Sequence, residues 1–235
     1  MYLLRIFLLV PFFSPQLIRA AEPSAIQIEV KDILNARVVT VVKGGALVPL
    51  HETIDGAGGL ATQAAVALMG NKNAHPLPDH PTFPATDRHP EAVLHYANED
   101  AASNQVRRAQ GEDTFFFSVS PNHYSHLHIY CTSGWGASQL QVKLIYEDQP
   151  AERRSLEIPD WYWEIKPNDP VRSYLATNLG KWTSKNQMAE QDHHYIFALD
   201  LTPAPGRVLT RVAIHKLDKG LMGFYGATGT LAQKE

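Results

Sequence analysis

"HYSHLHIYCTSGWG", residues 123–136, decides how the chain is read. It holds three histidines, the sole cysteine and a tryptophan between two glycines. Taken as a strand from Ser125, it alternates: Leu127, Ile129 and Cys131 share one face, and His126, His128 and Tyr130 share the other. The apolar face belongs in a core, which makes Cys131 a small buried hydrophobe. A nucleophilic cysteine needs a thiolate, favoured by a helix N-terminus or a nearby cation, and an alternating strand brings neither. The opposite face reads as the half-exposed polar side of the strand. Its two imidazoles point the same way, so His126 and His128 are the candidate ligands of a transition metal. Further ligands would come from the loop "HPLPDHPTFPATDRH", with His75, Asp79, His80, Asp87 and His89.

The same period of two recurs on both sides of this stretch. "TFFFSV" (114–119) puts Phe115, Phe117 and Val119 on one face. "QLQVKLIY" (139–146) puts Leu140, Val142, Leu144 and Tyr146 opposite Gln139, Gln141 and Lys143. "IQIEV" (26–30), "RVVTVV" (37–42), "YIFALDL" (195–201) and "VLTRVAIH" (208–215) continue the pattern, punctuated by Gly, Pro and Asp. Many short, turn-separated strands predict an all-β fold, a two-sheet antiparallel jelly-roll β-sandwich with one or two short helices. "LATQAAVALMG" (60–70) has helical composition and a terminal glycine as a stop. Residues 75–90, rich in Pro, His and Asp, read as a long loop.

The 235 residues suit one undivided β-sandwich domain over 21–235, preceded by a signal peptide over 1–20. Arg5 precedes an apolar run over 6–13 that is too short to cross a bilayer, and small alanines follow. The expectation is a secreted or periplasmic protein that is not transmembrane once its leader is removed. A formal net charge of −3 offers no basic field for nucleic acid. A sandwich of this size can rely on its core, so one cysteine and no disulfide do not oppose export.

From residue 114 onward the order of elements has a recognisable grammar. "FFFSV" leads to the Tyr124 turn and the small-residue stretch 132–136. The Tyr146-x-Asp148 hairpin, the Pro159-Asp160-Trp161 exit and "GFYGATG" follow. This resembles the galactose-binding-like β-sandwich domains of bacterial extracellular proteins, jelly rolls related to carbohydrate-binding modules. The upstream "NAHPLPDH" is similar to the leucine-proline-acid loop that precedes such domains. One departure is visible, because the hairpin usually reads Asp-Gly and here reads Asp148-Gln149. The resemblance implies the fold, and a role in binding glycans, peptides or partner domains. It also implies that a structural calcium could be held, although no calcium loop matches definite positions. The cupin jelly rolls use a His-x-His pair too, but follow it with a glutamate that this chain lacks.

Aromatic residues carry the binding chemistry. Trp135, Trp182, Trp163 and Tyr162 are the candidates to stack on sugar rings, with Trp N–H and Tyr O–H as polar handles. Glycines on both sides let Trp135 project, and Trp182 sits in the polar segment "LGKWTSKNQ". In strand geometry Trp161 and Trp163 face one way and Tyr162 the other. His193 joins the candidate ligand-binding set, since of His193 and His194 one should point in and one out. Three functions follow: a non-catalytic module for polysaccharide or glycoconjugate, a glycan- or metabolite-acting hydrolase assisted by a metal, and an interaction module that packs on a protein partner. G-x-S-x-G, H-E-x-x-H and G-x-G-x-x-G are all missing from the sequence.

Overall fold

A computed structural model of the protein describes residues 25–233 except 72 and 149. The expected leader, residues 1–20, lies outside the described residues. Strands dominate, and the sandwich forms mainly from the later part of the chain, joined by the first strand. These strands are β1 (Ala25–Ile28), β2 (Val39–Lys43), β3 (Ala46–Val48), β4 (Leu60–Ala61), β5 (Thr82–Phe83), β6 (Ala92–Val93), β7 (Arg107–Gln110), β8 (Asp113–Gly134), β9 (Ser138–Tyr146), β10 (Glu152–Ile158), β11 (Arg172–Trp182), β12 (Met188–Leu201), β13 (Val208–Lys216) and β14 (Leu221–Leu231). The one α-helix among the described residues is α1 (Gln63–Leu68), and a short 3-10 turn covers Lys31–Ile33. None of these helices is long and apolar enough to cross a membrane.

β8 organises the sandwich because it serves both sheets. Its first half pairs with β13, from Asp113 opposite Lys216 to His123 opposite Val208. Its second half pairs with β14 on one side and β12 on the other. The first sheet therefore runs from β8 through β13 and β9 to β10, all antiparallel. The second runs from β1 and β7 through β14, β8 and β12 to β11. At the corner between the halves, the Tyr124 hydroxyl donates to the Ser120 carbonyl at 2.8 Å. The Tyr124 ring is packed so closely on Gly229 that a Cβ there would lie 2.3 Å from Cε1.

The alternation read from the sequence fills the space between the sheets. Phe115, Phe117, Leu127, Ile129, Cys131, Leu140, Val142 and Leu144 meet Phe197, Leu199, Val212, Ile214 and Phe224 in one core. Each such side chain contributes about 1.5–3 kcal/mol by leaving water. β9 keeps the predicted alternation, with Leu140, Val142, Leu144 and Tyr146 buried and Gln139 and Lys143 exposed.

The outer face of the second sheet is where the sequence reading needs correction. Residues between 36 and 106 cover it, and Val38, Val39, Leu60, Leu77 and Tyr96 meet Tyr130, Ile196, Ala198 and Tyr225 in a second core. The expected polar face of β8 is thus largely buried: Tyr130 is 0 % and His128 5 % exposed. Tyr130 satisfies its hydroxyl with Thr228 Oγ1 at 2.6 Å. The expected helix over 60–70 is shorter, because Leu60 and Ala61 pair with β2 as β4 before Thr62 caps α1. The long loop over 75–90 contains β5, which pairs with β6. A third, small cluster joins Ala61, Ala65, Val66, Ala74 and Trp182.

Candidate functional site

The site grows from the Gly134-Trp135-Gly136 end of β8. A Cβ on Gly134 would lie 2.7 Å from the Ile54 carbonyl, so glycine is what lets β8 end against residues 54–58. Trp135 adopts the left-handed conformation, φ 65°, and stands 62 % exposed. Its indole lies over Gly56, where a Cβ would come within 2.8 Å of Cζ2. The Gly136 N–H donates to Asp160 Oδ2 at 2.6 Å. Asp160 also accepts from the Tyr162 N–H at 3.1 Å through Oδ1 and from the Trp163 N–H at 2.8 Å through its carbonyl.

That turn separates the three neighbouring aromatics. Trp161 is 0 % exposed, while Tyr162 is 37 % and Trp163 53 % exposed. The strand geometry expected of them is replaced by a tight turn, so Trp161 and Trp163 do not share a face. Trp135, Tyr162 and Trp163 are therefore brought to one end of the molecule by a single anchor, Asp160.

Beneath them lies a charged network. Lys181 Nζ is 2.6 Å from Asp55 Oδ2, 2.7 Å from the Tyr162 hydroxyl and 3.1 Å from Glu190 Oε1. The Tyr162 hydroxyl donates to Glu190 Oε1 at 2.6 Å. Asp55 Oδ1 accepts from the Ala57 and Gly58 N–H groups at 3.0 and 2.9 Å, which shapes the loop that supports Trp135. The ammonium also lies 5.3 Å from the Tyr162 ring centroid and 5.9 Å from that of Trp161. Burial alone would lower the pKa of Lys181, but its bonds to Asp55, Tyr162 and Glu190 outweigh that and raise it. Burial opposes ionisation of Asp55 and Glu190, and hydrogen bonds outweigh it, with Lys181 foremost for Asp55 and Tyr162 ahead of Lys181 for Glu190; both carboxyls fall below their usual range. Burial and the Glu190 carboxylate push the Tyr162 hydroxyl up to about 12. The network carries one cation and two anions, and its lysine is held protonated rather than poised as a base.

His194 closes the inner side. It is 0 % exposed, and its ring lies 4.3 Å from Trp161 and 4.5 Å from Tyr162 between centroids. Its Nδ1–H donates to the Leu179 carbonyl at 2.8 Å, and burial lowers its pKa, so it is neutral. His193, at φ 74°, turns outward to solvent and pairs with Asp192. The two histidines thus take opposite directions, as their neighbouring positions require.

Trp182 is the correction within the candidate set. It is 1 % exposed and belongs to the cluster under α1, with its backbone bonded in both directions to Gly59 at 2.9 Å. A buried indole offers no face to a sugar. The polar letters after it belong to the turn that follows β11, and Lys181 before it is buried in the charged network.

His126 and His128 both face a carboxylate. His126 Nδ1 is 3.0 Å from Asp200, and His128 Nε2 is 3.8 Å from Asp200 Oδ1 while donating to the Arg88 carbonyl at 3.2 Å. Their rings are stacked at 6.1 Å, and Arg88 and His89 border the same cleft. Asp79 is engaged elsewhere, accepting from the Ala64 N–H and from Asn98. Among the described residues no group of three or more His, Cys, Asp or Glu side chains is arranged to hold a metal ion. Cys131 is 0 % exposed and burial drives its pKa upward, which keeps it a thiol.

Sequence reasoning missed Asp55, Lys181 and Glu190. The loop "DGAGG" (55–59) did carry a signal, since an Asp followed by glycines marks a tight turn. Nothing local marks Lys181 or Glu190, which become neighbours only through the pairing of β11 with β12.

Fold and site together define an all-β sandwich protein whose one end carries an aromatic rim over a partly buried ion network. No family model matches the chain, and no curated protein matches it.

Proposed function

We propose that the protein is a non-catalytic module of the galactose-binding-like jelly-roll type that binds polysaccharide or glycoconjugate, in a secreted or periplasmic setting. The observation that carries the reading is the pair of exposed tryptophans, Trp135 at 62 % and Trp163 at 53 %, at one end of the sandwich. Flat apolar faces beside directional polar groups are what sugar rings require, and Tyr162 and Glu190 supply such groups here. Trp135 is held by its contact with Gly56 and by the bond from the next residue's N–H, Gly136, to Asp160, so little freedom is lost on binding. A binding role also agrees with Lys181, whose three acceptors keep it protonated and already occupied.

The test is a glycan array on the mature protein, followed by calorimetry on Trp135→Ala. Stacking adds about 0.5–1.5 kcal/mol beyond the area buried. Losing it, together with that area, should weaken binding about tenfold or more. Unchanged affinity in a folded Trp135→Ala variant, or an array without a single bound glycan, would refute the proposal.

A further inference from the structure

Beside the turn that presents Trp163 lies a cleft of about 610 Å³ that the aromatic end alone does not explain. It falls within the roughly 300–1,000 Å³ typical of small-ligand sites. Its near wall begins with Glu164, the residue after Trp163, and runs to Asp169. The Trp161 carbonyl accepts from the Tyr195 N–H at 2.9 Å, so the turn is seated directly on the strand that forms the cleft floor. That floor is aromatic, with Tyr174 and Tyr195 rings 4.9 Å apart.

The wall is held in place. The Ile165 N–H donates to the Tyr174 hydroxyl at 2.7 Å, and Asp169 Oδ1 accepts from the Val171 and Arg172 N–H groups at 3.0 and 2.8 Å. Arg88 reaches across to the carbonyls of Asp169 and Arg172. A cleft bound in this way is formed before any ligand arrives.

Its chemistry selects for hydroxyl groups without net charge. Asn168, Ser173, Thr177 and Asn178 line it. Amides and hydroxyls both donate and accept, as a sugar hydroxyl does. Asn168 and Asn178 stand at φ 60° and 53°, a conformation asparagine tolerates. Three carboxylates, Asp87, Glu164 and Asp169, are matched by three cations, Arg88, Lys166 and Arg172. Asp169 and Arg172 already bind each other at 2.9 Å.

We infer that this cleft is a second subsite for the same ligand, and that the ligand is a neutral, polyhydroxylated chain of several sugar units running from Trp163 over Tyr174. The inference rests on the carbohydrate-binding reading above and adds length and neutrality to it. A terminal monosaccharide could satisfy the aromatic end, but only an extended chain reaches both places.

Calorimetry with neutral gluco-, xylo-, manno- and galacto-oligosaccharides, from dimer to hexamer, tests it, with polygalacturonate as the charged control. The expected result is affinity that rises about tenfold or more with length in at least one neutral series. Thr177→Arg, which fills the cleft from an exposed position, should reduce hexamer binding to the level of the dimer and leave the dimer unaffected. Asn168→Gly, which keeps the backbone conformation but removes the amide, should weaken the hexamer alone. Trp135-dependent binding that is independent of length, or unchanged hexamer binding in both cleft variants, overturns the inference and leaves the aromatic site standing. Tighter binding of polygalacturonate than of every neutral series overturns the assignment of a neutral ligand. Failure of all glycans to bind a folded protein overturns both.

Discussion

Trp135 and Trp182 stand in similar sequence surroundings, each preceded closely by glycine and followed by small or polar residues, yet one is 62 % and the other 1 % exposed. The difference lies in what covers them. Trp135 rests on Gly56 with its outer face open, whereas Trp182 is enclosed by Ala61, Ala65, Val66 and Ala74. The two should therefore separate in a stability measurement. Trp182→Ala should cost about 3–5 kcal/mol, the usual loss for deleting a core tryptophan. Trp135→Ala should stay within about 0.5 kcal/mol. Urea unfolding of both variants checks this, and equal midpoints would contradict the burial assigned to Trp182. Lys181 makes a related point about single residues. Its pKa is raised, so the stability its pairing contributes is complete below the ordinary lysine value and is lost only as pH climbs through the raised one. Asp55 and Glu190 are lowered, so their share holds above the ordinary carboxylate range and fades as pH falls through the lowered values. Between those limits the charges of Lys181, Asp55 and Glu190 do not change.

Among the elements, β8 carries the most information and the most risk. Its corner depends on Tyr124 lying against Gly229, with room for no other side chain. Gly229→Ala should destabilise the protein by about 1–3 kcal/mol through overpacking. Tyr124→Leu in the same chain should recover part of that loss, because the clash is with the ring. Thermal unfolding of the single and double variants measures both effects; simple additivity would mean the ring is not what the methyl meets. The same strand marks the limit of what was legible beforehand. Alternation identified its inner face, Leu127, Ile129 and Cys131, because period two reports one buried side faithfully. It misjudged the outer side, since His128 and Tyr130 are buried by residues distant in sequence, and a polar letter does not say what lies above it. Glycine flanks sufficed to mark Trp135 as exposed. The turn that splits Trp161 from Trp163 depends on Asp160 acting as anchor, which strand periodicity cannot represent. The charged network was hidden for a further reason: its members come from a loop, a turn and two paired strands.

At the scale of the whole molecule, burial of imidazoles sets the response to acid. Burial lowers the pKa of His95, His128 and His194, so each is kept neutral in the fold. A lowered folded value means that stability is fully present above the ordinary histidine pKa of about 6.5 and is lost as pH falls through the folded values. Tm should accordingly decline as pH falls from about 6.5 toward the carboxylate range. His194→Asn, which can still donate to the Leu179 carbonyl, should make the decline shallower. A flat Tm across that interval in the parent protein would contradict the neutral, buried assignment. The order of strands has a consequence of its own for how the chain is made. β14 lies between β1 and β8 in the second sheet, and it supplies Tyr225 to the face that residues between 36 and 106 cover. Those early residues leave the ribosome long before the surface they must lie on exists. The first hundred or so residues should therefore wait, unsheltered and dependent on whatever holds nascent chains apart, until Leu221–Leu231 emerges and gives them something to close over.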